Sequence, residues 1–209
     1  MRTLWAAALL SAATLTPAHA ETRSLEGQSF HAIDARGPYQ LNVVVGAPAA
    51  RSIADGKAEY LTDLDMRVEN GVLRIRRNCS GICNSNHTRA VIDISAPSLD
   101  RVAVGWGADA QVRGVAADTF DATASMGSDL SIDGTCGALT ASASMGADLH
   151  ASHLRCHDVR ATASMGADMS VYASQSIAAR AGLGTDIHVA GAPERRDVHG
   201  SIGSDVTIE

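Results

Sequence analysis

The pentapeptide Ser144-Met145-Gly146-Ala147-Asp148 returns unchanged at Ser164–Asp168 and almost unchanged at Ser125–Asp129. Aligned on the acid, the beat occurs six times, closing on Asp109, Asp129, Asp148, Asp168, Asp186 and Asp205. The intervals are 20, 19, 20, 18 and 19 residues, a register that chance does not hold. A fixed period of this length marks a repeat architecture, in which each repeat buries its apolar face only against its neighbours.

The columns of the alignment say what each repeat is. Three residues before the acids stand Trp106, Met126, Met145, Met165, Leu183 and Ile202, and two before them always Gly. One residue after stand Ala110, Leu130, Leu149, Met169, Ile187 and Val206; three after stand Val112, Ile132, Ala151, Val171, Val189 and Ile208. The residues between, such as Ser131, His150, Ser170 and Thr207, are mostly polar. Period-two alternation means strands. Upstream, Leu139, Ala141 and Ala143 continue one face while Ser142 and Ser144 take the other. No helical pattern separates the strands, so βαβ units are excluded. The expected fold is all-β: a right-handed parallel β-solenoid of about six 18–20-residue coils, like columns stacked about 4.8 Å apart. Gly marks the bend from one sheet to the next, where no Cβ obstructs the corner. The Met column is expected to fill the corner from inside.

Stacking also pairs two of the four cysteines. Cys136 precedes Leu139 by three residues, as Cys156 precedes Val159, so the two sulfurs should meet on adjacent coils. A second bridge is expected across the short loop between Cys79 and Cys83. Residues 1–20 read as a cleaved signal peptide: a basic start, the apolar stretch LWAAALLSAATL, and Ala-His-Ala before the cleavage point. Export to the periplasm or cell surface fits an even cysteine count. No other apolar run is long enough to span a membrane, so membrane insertion is not expected. The net charge of −6 argues against nucleic acid.

Residues 21–98 lack the beat and read as a strand-rich cap, with residues 99–209 as the coils. In the cap, Gln40–Val45 and the run from Ala90 read as strands. Met66–Ile75 reads as a hairpin turning on Asn70-Gly71. The segment around Cys79 and Cys83 reads as a polar tip loop.

The succession FHAIDARGPYQLNVVVG, VENGVLRI, AVIDISAPSLDRVAVGWGADAQV and then S-x-G-x-D coils resembles the "putative auto-transporter adhesin, head GIN domain" family over nearly the whole mature chain. That resemblance implies a fold similar to pectate-lyase-like right-handed β-helices and a non-enzymatic, adhesive role at the bacterial cell envelope. The family's usual turn is SGSGD. Met126, Met145 and Met165 replace its first Gly here, which makes the corner bulkier.

The six acids form a ladder whose neighbours repel by about 1 kcal/mol per pair in water. The favoured reading is structural, each Asp accepting a backbone N–H at its own bend. The alternative is a calcium ladder on Asp109, Asp129, Asp148, Asp168, Asp186 and Asp205, as in nonapeptide β-rolls. The phase is wrong for that: β-rolls put the large apolar residue two after the acid, where Ser131, His150 and Ser170 stand. No cofactor is therefore expected. The His/Cys run from His150 to His157 is better explained by the Cys136–Cys156 pair than by zinc. Single-file acids and short inter-coil connections do not build a catalytic cleft. The expected function is thus a binding scaffold, with a surface glycan or a protein as partner and columns such as Thr123, Ser142, Thr162 and Arg180 on its outer face. The competing readings are a periplasmic structural or envelope-stress protein and, more distantly, a polysaccharide-active enzyme.

Overall fold

The computed structural model describes residues 21–56, 61–78 and 90–209. The strands are β1 (Glu21–Glu26), β2 (Ala32–Arg36), β3 (Gln40–Val45), β4 (Arg51–Gly56), β5 (Leu64–Glu69), β6 (Val72–Arg77), β7 (Val91–Ala96) and β8 (Arg101–Gly105). Four long bent strands follow: β9 (Asp109–Ser125), β10 (Asp129–Ser144), β11 (Asp148–Ser164) and β12 (Asp168–Ala181). The chain closes with β13 (Asp186–Ala190), β14 (Arg195–Gly200) and β15 (Asp205–Ile208).

The repeats stack in parallel as the alternation requires. Asp129 pairs in register with Asp109 on one side and Asp148 on the other, and the row continues through Asp168, Asp186 and Asp205. Six acids bracket about five turns of solenoid. The interior columns are the predicted ones. Phe120, Leu139, Val159 and Ile177 form one row; Leu130, Leu149, Met169 and Ile187 form another; all are buried. Ala122, Ala141, Ala161 and Ala179 are sealed between them, and such small side chains let the walls of a narrow core approach.

The long strands are not straight. The register slips between Ile132 and Gly134 where β10 pairs with β9, leaving a bulge. At Gly134, with φ at 134°, a Cβ would lie 2.1 Å from the Val115 carbonyl oxygen, so this position admits no side chain.

The N-terminal third both caps the stack and belongs to it. β2 lies in parallel between β6 and β8, and β3 in parallel between β7 and β9. From β1 at the outer edge the chain enters the stack at β2 and β3, leaves to build the end, and returns at β8 and β9 on the far side of that first coil. The end is finished in antiparallel fashion: β4 pairs with β7, β1 pairs with β4, and β5 pairs with β6. Antiparallel strands across the end shield an open parallel edge from pairing with another chain. The β5–β6 hairpin turns on Asn70 (φ 51°) and Gly71 (φ 75°), the two left-handed residues that a tight hairpin needs.

Cys136 and Cys156 are register partners on β10 and β11, joined by a disulfide with a Cα separation of 4.5 Å. The Cys79–Cys83 bridge lies outside the described residues. The Cys136–Cys156 bond closes a loop of sequence separation 20 and fixes two coils in register. Replacing both by alanine is expected to lower unfolding stability by about 2–4 kcal/mol. Urea unfolding with and without the bond measures this; equal midpoints would contradict the coil-pinning role.

Candidate binding surface

The corner is where the structure departs most from expectation. In Ser144-Met145-Gly146-Ala147-Asp148, Met145 has φ of 56° and Gly146 of 65°. Two successive left-handed residues turn the chain sharply. The same pair occurs at Trp106-Gly107, Met126-Gly127 and Met165-Gly166. At Leu183 and Ile202 only the following glycine, Gly184 or Gly203, has positive φ. A residue with a Cβ costs about 1–2 kcal/mol in this region.

The left-handed pair interrupts the alternation. Continued from Leu139, Ala141 and Ala143, a regular strand would point residue 145 inward. The turn swings it out instead. The expectation that Met126, Met145 and Met165 pack in the core is therefore overturned. Met165 is 63% exposed, Trp106 60% and Ile202 83%. The buried corner position passes to the residue before the acid: Ala108, Ser128, Ala147, Ala167 and Thr185. Sequence reasoning missed this column, although its uniformly small residues carry the signal. The glycine also has a different reason from the expected one. A Cβ on Gly146 would meet nothing within 4 Å, so the backbone angle is what demands glycine there.

The corner is held mainly by its neighbours. The Met126 N–H donates to the Ser144 carbonyl (3.2 Å), and the Gly127 N–H to that of Met145 (3.1 Å). The Met145 and Gly146 N–H groups repeat this onto Ser164 (3.2 Å) and Met165 (3.0 Å). At two of the bends a serine standing just before the acid ties the turn from within. Ser128 Oγ accepts the Ser125 N–H (2.9 Å), and Ser204 Oγ that of Ser201 (2.8 Å). Asp168 instead accepts the N–H of Asp186 on the next coil (3.3 Å).

Two polar faces meet at this corner. After it, the carboxylates stand in single file with Gln111, Ser131, His150, Ser170, His188 and Thr207 in the next outward column. Among the described residues, no group of three or more His, Cys, Asp and Glu converges as a metal site. Cys156 is committed to its disulfide. The Asp129 carboxyl is pushed above its ordinary range, first by partial burial, then by the charge of Asp148 and a hydrogen bond to it, then by Asp109; His150 opposes the shift.

Before the corner, Thr123, Ser142, Thr162 and Arg180 are successive register partners. Arg160 stands exposed two residues upstream of Thr162. Beside it lies a shallow cleft of about 410 Å³ lined in part by Thr140, Asp158, Arg160, Ser176 and Arg195. There Asp158 accepts hydrogen bonds from Ser176 Oγ and Arg195. Tyr172 on β12 carries the Arg155 guanidinium over its ring at 4.8 Å. The more exposed aromatic is Trp106 on the corner.

Because its pKa is raised on folding, ionised Asp129 destabilises the fold. The penalty is absent below the unfolded Asp value of about 4 and is complete above the folded value. Asp129→Asn should therefore raise Tm by ~1–3 °C at pH 7 and leave it unchanged at pH 3. Thermal melts at the two pH values check this, and a lower Tm at pH 7 would contradict it.

The family model described as "Putative auto-transporter adhesin, head GIN domain" matches residues 29–193. Among solved structures, one described as a putative adhesin from Bacteroides fragilis superposes with a TM-score of 0.70 at 18% identity, covering 91% of this chain and 96% of that one. One from Parabacteroides distasonis, also described as a putative adhesin, gives 0.55 at 12% identity, covering 91% and 97%. A second protein of that organism, described as a putative lipid binding protein, gives 0.53 at 15%, covering 91% and 96%. No curated protein matches. At these identities the likeness to the solved structures is one of fold. The family match spans most of the chain, both the coils and the strands that cap them: the chain belongs to the "putative auto-transporter adhesin, head GIN domain" family.

Proposed function

We propose that this protein is an exported, non-enzymatic binding scaffold of the bacterial cell envelope, with an adhesin-like role. Its partner is a surface glycan or a protein held on the flat face before the corner. The observation that carries this reading is the column Thr123, Ser142, Thr162 and Arg180, whose members are register partners on successive coils. Such a column repeats hydrogen-bonding groups about every 4.8 Å on a rigid wall. Repetition of that kind suits a polymeric or repetitive ligand, because weak contacts add without further ordering. Arg160 and the cleft around Asp158 and Arg195 extend the same face with charge.

Export is supported by the signal-like residues 1–20 and by the disulfide, a bond that persists in oxidising compartments. Among the described residues no helix is long and apolar enough to cross a membrane. The single-file acids favour binding over catalysis. The disulfide serves a purely periplasmic protein equally well, so location decides between an adhesive role and an internal one. Protease treatment of intact cells, with a periplasmic control, is expected to remove the protein, and a deletion strain is expected to attach less. Full protection, with release on osmotic shock, would contradict the adhesive role and favour the periplasmic one.

A further inference from the structure

The corner carries a feature that the two polar faces do not use. Trp106, Met126, Met145, Met165, Leu183 and Ile202 stand in single file on six successive coils, all exposed. Each is between 42% and 83% exposed, so the file is a continuous apolar strip of the size class that on a monomer marks an interaction surface. Four of the six also sit in the left-handed region, where glycine would be relaxed. Strained backbone and wetted apolar side chains coincide at the same positions. Neither serves the fold, since the inner corner is filled by Ala108, Ser128, Ala147, Ala167 and Thr185.

We propose that this ridge is a self-association seam, and that its occupant is a second copy of this chain. The first argument is pitch. Ridge side chains recur every ~4.8 Å, the spacing of hydrogen-bonded strands. Along a helix, same-face residues recur every ~5.4 Å, and along a single strand every ~6.6 Å, so either partner loses step within a few residues. Another solenoid of the same repeat keeps step along the whole ridge.

The second argument is charge, and it also selects the orientation. One flank of the ridge carries Asp129, Asp148, Asp168, Asp186 and Asp205. The other carries Thr123, Ser142, Thr162 and Arg180, with Arg160 beyond them. A two-fold axis across the solenoids would set acid flank against acid flank. A two-fold axis parallel to them sets each acid flank against the hydroxyl and arginine flank of the other copy. The parallel dimer is the one charge permits, and it brings Asp186 of one copy level with Arg180 of the second. In that dimer the column of Thr123, Ser142, Thr162 and Arg180 lines the seam, so the part of the proposed binding face left to a ligand is Arg160 and the cleft beside Asp158.

The test is sedimentation velocity on the full chain, expressed with its own N-terminal segment, over roughly 1–100 µM. The wild type is expected to dimerise in this range. Met126→Asn, Met145→Asn and Met165→Asn together should weaken the dimer at least ~10-fold. Asparagine accepts the left-handed backbone, so Tm should hold or rise, which separates loss of the seam from loss of the fold. Arg180→Glu alone should weaken the dimer, and Arg180→Glu with Asp186→Arg should restore it. A wild-type monomer throughout the range would overturn the proposal, as would a triple variant that dimerises unchanged. A monomer that floats with phosphatidylcholine vesicles, and stops doing so in the triple variant, would also overturn it by assigning the ridge to lipid.

Discussion

The structure depends on backbone hydrogen bonds between coils, and most of all on those at the corner. Each turn of the solenoid must reverse direction within two residues, Met145 and Gly146 in the third repeat, both left-handed. Alone, such a turn would be strained and would leave amides without partners. Stacked, the corner amides find carbonyls one coil away, as in Met126 to Ser144 and Gly127 to Met145. The strain is tolerated because the next repeat repeats it. Register follows from the same bonds: once the corners align, leucines stack on leucines, alanines on alanines, and acids on acids.

Much of this was legible in the sequence, and the reasons are specific. The acid spacing and the alternation around Leu130, Leu149 and Met169 gave the coil. The offset from Leu139 and Val159 gave the disulfide pair. Asn70-Gly71 gave the hairpin. The corner was misread because alternation was carried through it: Met126, Met145 and Met165 are large and apolar, and a regular strand would have buried them. Composition cannot show that two residues turn left-handed in succession. The signal that could have shown it is the small buried column at Ala108, Ser128, Ala147, Ala167 and Thr185, which competes for the same interior place. The crossing of the N-terminal strands was also invisible. β2 and β3 lack the repeat beat, yet they fill the coil between β6–β7 and β8–β9.

The corner also sorts the surface by chemistry. Swinging one residue outward places an apolar file between a carboxylate face and a hydroxyl and arginine face. Partial burial first, and then the neighbouring carboxylates, make Asp129 hold its proton more tightly than an isolated acid. They keep that edge charged, and a charged edge discourages unspecific pairing. The opposite face, with its hydroxyls and arginines, is richer in donors, and it suits a ligand met by many similar weak contacts.

The account rests on which residue of the corner faces water, and cysteine labelling of the folded protein reads this directly. Met145→Cys and Ala147→Cys would each be treated with a maleimide under native conditions, with the Cys136–Cys156 bond intact. The outward turn predicts prompt modification at position 145 and protection at position 147 until the protein is unfolded. Protection at 145 together with ready labelling at 147 would mean that the alternation runs through the corner, and would contradict the corner geometry on which both the ridge and the acid file stand.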